Sequence, residues 1–224
     1  MKPCVMLRSD TSNTLQSLIF AAKLCYGKEQ DCLSGAEQER LIKQILAARH
    51  FSILEHAVLS FYITGVSRNF THQLVRHRHM SFAQQSLHYT ITNDESIAIG
   101  TVVKTDCAEV MQIHAKRSME VYKCLIEKGV PREEARHILP SGIATKIVCT
   151  ANLREWVHFV GIRSCRVNCE EIREVAYQVN NALALSFPWL VEYLGPSCAT
   201  EGKCYEGRKS CGHPWIKMEA PNGN

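Results

Sequence analysis

The stretch AVLSFYITGVSRNFTHQLVRHRHMSFAQQSLHY, residues 57–89, decides the fold. It opens with an alternation: Leu59, Phe61 and Ile63 are apolar, and Ser60, Tyr62 and Thr64 are set between them. A period of two is that of a half-buried strand. Gly65 punctuates the strand, and Ser67 has the chemistry of a helix N-cap. Phe70, Leu74 and Val75 then recur at helical spacing. The helix gives out at Arg76, His77, Arg78 and His79, and a loop is expected from there. No hydrophobic core accommodates such a run. Ser81, Gln84, Gln85, Ser86 and His88 follow it, a series of hydrogen-bonding side chains.

Upstream, residues 11–26 read as a helix from Leu15, Leu18, Ile19, Ala22 and Cys25, with Gly27 as its stop. Residues 35–49 form a second, with Leu41, Ile42, Ile45 and Leu46 as its apolar stripe. Downstream, a long helix over 106–128 is closed by Gly129. Pro131 suits the first turn of a short helix with Glu133 and Glu134 at its positive end. ATKIVCT, 144–150, is the second strand; helices follow over 153–162 and 169–187, the latter with Ile172, Val175, Ala176, Val179, Ala182 and Leu183 inward. Strands are few and helices many, so the class is α+β, a mixed or antiparallel sheet with a helical bundle. The reading is one domain over 1–194 and a Cys-rich tail over 195–224.

At 224 residues and 46% hydrophobic content, one good core is available. The formal charge of +4 is mild, so charge has to be argued locally. The opening MKPCVMLRSD turns polar too early for a secretory leader, and no apolar run reaches the length of a membrane span. Eleven cysteines without a leader point to reduced thiols in a cytoplasmic protein, with no membrane partner.

Arginine presents a planar fork to phosphate or carboxylate. On a helix, neighbours such as Arg76, His77 and Arg78 point about 100° apart, which suits a large ligand wrapping the helix end. A nucleotide or dinucleotide fits; a solvated basic helix end is the plainer alternative. A nucleic-acid surface would interleave more aromatics, and only Phe82 and Tyr89 serve, so no nucleic-acid partner is expected. In RHFSILEH, His50, Ser52, Glu55 and His56 have the wrong spacing for a metal and read as a polar cluster beside a ligand. Arg136 and Arg163 stand in apolar surroundings where a guanidinium can point into a polar pocket. In the tail, Cys198, Cys204, Cys211 and His213 are zinc-ligand types, but their spacing is loose and contains no CxxC; they read as free thiols, and no metal is expected.

RHRHMSFAQQSLHY, residues 76–89, resembles the signature of the flavin-dependent thymidylate synthases, RHRxxSxxxxSxR followed by Tyr. Arg76, His77, Arg78, Ser81, Ser86 and Tyr89 fall in place. HFSILEH, PREEARHILP, TANLREWVHFVGIR and EIREVA are similar to further stretches of that family, in the same order. The resemblance implies the thymidylate synthase-complementing-protein fold and a homotetramer with sites between subunits. It implies FAD, NADPH and methylenetetrahydrofolate, and reductive methylation of dUMP at C5 to dTMP without a cysteine nucleophile. Carried over by position, His50, Ser52, Arg76, His77, Arg78, Gln84, Asn152, Arg154 and His158 would face the flavin and folate. Gln73, Arg76, Gln84, Gln85, Ser86, Leu87, His88, Arg136 and Arg163 would face the nucleotide, with Arg163 acting on the pyrimidine. The chain departs from the pattern at Gln84, where the family usually has an acid, and at His88, where it has arginine. His158 and Cys169 replace an asparagine and a glutamine. A paralogue methylating a related pyrimidine nucleotide such as UMP, and a nucleotide-binding module without turnover, are the alternatives.

Overall fold

The computed structural model describes residues 2–10, 13–28, 30, 32–89 and 105–213. By their contacts they form two compact units.

The first unit gathers Met1–Arg8, Ser60–Thr150 and Glu170–Val175. Its sheet has four strands in the order β1-β2-β4-β3: β1 (Cys4–Asp10), β2 (Val58–Ser67), β3 (Ser81–Gln84) and β4 (Ala144–Asn152). β3 runs antiparallel to β4, with Ser81 opposite Thr150 and Gln84 opposite Ile147. In the interior, Ser60 and Thr150 share a hydrogen bond of 2.7 Å between hydroxyls, a cross-strand tie. Leu59, Phe61 and Ile63 are buried, as the alternation requires.

The strands at both ends of that order are new to the sequence reading. β1 lacks a clean apolar alternation. β3 falls in the predicted loop, where the polar side chains hide a strand paired on one side. β2 also runs past Gly65, whose φ of +68° glycine alone adopts without strain, so the residue marks no strand end.

α3 (Arg68–Leu74) starts where expected: Ser67 is buried and its Oγ accepts from the Phe70 N–H at 3.0 Å. Glu171 accepts from both the Ser67 N–H and its hydroxyl, which places a carboxylate at the positive helix end. α4 (Thr105–Glu127) packs on α5 (Arg132–Ala135). Met119, Tyr122, Ala135 and Ile143 form the buried cluster there, with Leu125, Ile126, Val130 and Leu139 around it.

The second unit gathers Ser9–Leu59, Ala151–Cys169 and Ala176–Asn224. It holds α1 (Thr14–Leu24), α2 (Gly35–Ala47), α6 (Leu153–Arg163) and most of α7 (Glu170–Ser186). Of the first predicted helix, residues 11–12 lie outside the described residues, and Asn13 is the N-cap. α2 has the capping box that S-G-A-E encodes: Glu37 accepts from the Ser34 N–H at 2.8 Å while Ser34 Oγ accepts from the Glu37 N–H. It ends at Ala47 rather than at Arg49, because Arg49 turns left-handed (φ 60°) and lets the His50 N–H reach the Ile45 carbonyl. Trp156 is wholly buried, meets Phe159 edge-on and donates its indole N–H to the Leu59 carbonyl at 3.1 Å. The tail, read as a plain extension, forms α8 (Ser197–Thr200) and a short turn at Gly207–Lys209, within this same unit.

Candidate functional site

In the first unit, the basic triplet does not sit on the helix. α3 ends at Leu74, and Arg76 to His79 pass through turns in which the His77 N–H reaches the Leu74 carbonyl and the Met80 N–H the His77 carbonyl. The turn sorts the triplet: Arg76 and Arg78 are exposed and His77 is buried. The three side chains are therefore not fanned 100° apart along a helix; two exposed guanidiniums flank, in sequence, a buried imidazole. Gln73, on the last turn of α3, is half-buried.

β3 carries the motif onward. Gln84 Nε2 donates to Thr145 Oγ1 at 3.3 Å; a carboxylate there would instead accept from the threonine hydroxyl. Gln85 bonds through its backbone N–H to the Lys146 carbonyl. Ser86 Oγ accepts from the His88 N–H, Leu87 is buried, and His88 Nδ1 lies 3.5 Å from Glu133 Oε2. Arg132 donates to the Tyr89 carbonyl at 2.9 Å, so α5 holds the end of the motif from two directions. Arg136 is exposed, and its Nε donates to the Glu133 carbonyl at 3.1 Å.

Arg68 was missed by the sequence reading. It is half-buried, its Nη2 donates to the Gln85 carbonyl at 3.0 Å, and its Nε has no hydrogen-bond partner among the described residues. Burial, and then the neighbouring Arg136 guanidinium, push its pKa down. Two close guanidiniums with an unmet donor form a cationic pair that an anion would compensate. The signal was present: an arginine in the first turn of a helix faces the positive end of the dipole, an unfavourable place without a further reason.

In the second unit, Asn152 caps α6, its Oδ1 accepting from the Glu155 N–H at 2.9 Å. Arg154 pairs with Glu55, and both are exposed. Arg154 and His158 line a cavity of about 630 Å³ with Arg49, Phe51, Leu54 and Tyr193. Phe51 and Tyr193 meet edge-on at 5.6 Å, giving that cavity an aromatic wall. His50, Ser52 and Asn152 fall outside its lining, and His50 and Ser52 are exposed.

Arg163 ends α6, half-buried, and its Nη1 donates to Asn168 Oδ1 over a long 3.4 Å. Burial pushes its pKa down, against a smaller opposing pull from Cys169. Asn168, not singled out in the sequence, also donates from Nδ2 to the Ile162 and Cys165 carbonyls and so buttresses the arginine.

A profile of the family described as "Thymidylate synthase complementing protein" matches residues 6–189. The chain belongs to that family. It is 34% identical over 217 residues to the flavin-dependent thymidylate synthase of Geobacter sulfurreducens, covering 93% of each chain. The enzymes of the same name from Thermococcus kodakarensis and Pyrococcus horikoshii are 37% and 39% identical, over 91% and 90% of this chain and 89% of each relative. In fold it is similar to a crystal structure of the UMP/dUMP methylase PolB from Streptomyces cacaoi bound with 5-Br dUMP, with a TM-score of 0.76 at 22% identity, over 86% of this chain and 94% of that one. The α+β class expected from the sequence is thus the fold of the thymidylate synthase complementing protein family. Among the described residues no helix is long and apolar enough to cross a membrane.

Proposed function

We propose that this protein is a flavin-dependent thymidylate synthase. It would convert dUMP to dTMP with methylenetetrahydrofolate as carbon donor and NADPH as reductant, working as a cytoplasmic homotetramer whose catalytic body is 1–194. The observation that carries the reading is the turn after α3, where the signature residues Arg76 and Arg78 are presented to solvent around a buried His77. Arginine forks in that position suit the pyrophosphate of FAD. Within the second unit, Arg154 and His158 line a cavity in the volume range of cofactor clefts, beside an aromatic wall. Held there, a flavin would supply hydride chemistry, with NADPH as its reductant.

The chain's own residues supply binding and polarisation. Arg136 and Arg68 form the cationic pair that would hold the nucleotide phosphate. Arg163 is the catalytic group: a half-desolvated guanidinium against the N3–O4 edge of uracil stabilises the anionic ring and raises electron density at C5. No thiol needs to attack the ring.

Gln84, a neutral amide where the family usually has an acid, leaves a related pyrimidine nucleotide such as UMP as the second reading. Tritium release from C5-labelled dUMP and UMP separates the two. The expected outcome is a yellow protein that releases tritium from dUMP only with NADPH and the folate present. Arg78→Ala should lose bound flavin with an unchanged circular dichroism spectrum. A colourless protein without release from either nucleotide would overturn the reading.

A further inference from the structure

The tail meets the end of α6 in a second cavity of about 220 Å³, and its lining is unusual: Cys165, Cys198, Cys204 and Cys211, with His213 and Arg166. None of the four is in a disulfide. Cys165 lies on the loop after α6, and Cys198, Cys204 and Cys211 lie on the tail. Cys165 is within electrostatic reach of both Cys198 and Cys211. Residues 201–213 bury no apolar side chain: all are exposed except half-buried Cys211. A segment of that kind has little hydrophobic free energy to offset its lost conformational entropy. Yet it is folded back into one place, with all of its cysteines facing the same cavity.

We propose that Cys165, Cys198, Cys204 and Cys211 form a structural zinc site that fastens the tail to the end of α6. Four thiolates are a complete tetrahedral set for zinc, with no open position for catalysis. The resulting centre carries a net negative charge, which Arg166 on the same wall offsets. No three of the four sulfurs lie within 4.8 Å of one another among the described residues, so coordination draws the tail inward. Its cost is the ordering of 201–213, and metal binding supplies free energy of the kind that folds small metal-dependent segments. Because Cys165, Cys198 and Cys204 also line the larger cavity beside Arg154 and His158, the metal fixes part of that cavity's wall.

The full chain, expressed in zinc-supplemented medium and purified without chelator, is analysed by plasma mass spectrometry. About one zinc per chain is expected. Cys198→Ser/Cys211→Ser should lose it, while Cys25→Ser/Cys107→Ser, with both exposed sites far from the cavity in sequence, should retain it. Loss of fold in the first variant is handled by cobalt(II) titration of wild-type protein stripped of metal. Strong sulfur-to-cobalt charge-transfer absorption reports thiolate ligation directly, independent of flavin or activity. Zinc content unchanged in Cys198→Ser/Cys211→Ser would overturn the assignment. So would metal-free wild type without a cobalt–thiolate spectrum, or a disulfide among these cysteines in freshly purified protein.

Discussion

Arg163 shows how the surroundings of a single residue bear on the role proposed for it. In the sequence it is an arginine after an apolar run, WVHFVGI at 156–162. In the structure it is half-buried, and its Nη1 donates to Asn168 Oδ1 at 3.4 Å. Partial burial desolvates a guanidinium, and its charge would act strongly on a ring placed against it. Arg163→Ala should lower methyl transfer by about 10²–10³ while NADPH still reduces the flavin at the wild-type rate. Stopped-flow reduction measured beside tritium release checks this; a parallel fall in both would make the residue structural. Not every buried group is poised in this way. Cys149, buried on β4, has its thiol pushed up to about 12 by desolvation, and it takes no part in thiol chemistry.

Among the elements, α4 and α2 make different demands on their side chains. Tyr122 of α4 is wholly buried, and its hydroxyl has no hydrogen-bond partner among the described residues. An unmet buried hydroxyl costs about 1–3 kcal/mol. Tyr122→Phe keeps the ring in the cluster with Met119, Ala135 and Ile143 and should raise stability by about 1 kcal/mol, read from the urea midpoint. A loss of that size instead would show that the hydroxyl is satisfied. At α2 the capping box pulls the Glu37 pKa down, chiefly through the Ser34 backbone N–H and then its hydroxyl. The sign follows: the contribution is full above the unfolded glutamate pKa and is lost as pH falls through the lower folded value. Glu37→Gln preserves the box geometry without the charge. Its melting temperature should lie below wild type near pH 7, and the gap should close in acid. A gap independent of pH would show that the carboxylate charge contributes nothing to the cap.

On the scale of the whole molecule, light scattering with size exclusion should give four times the 25.3 kDa chain mass, if the site is shared between subunits as proposed. A monomer that still binds flavin would remove that part of the proposal. What the sequence determined by itself is local: the β2 alternation, the α3 cap at Ser67 and the signature at 76–89. Periodicity and capping are properties of neighbouring residues, and each survives in the structure. Three matters needed tertiary contact. β3 is a strand because β4 lies beside it, not because SFAQ has strand chemistry. Arg68 is half-buried with an unmet Nε because Gln85 and Arg136, 17 and 68 residues away in sequence, arrive next to it. The tail cysteines lacked a CxxC and read as free thiols, but the fold brings Cys165 from the end of α6 to the same cavity. Ligand sets, ion pairs and sheet edges depend on distances through space, and a pattern of neighbours along the chain carries no record of them.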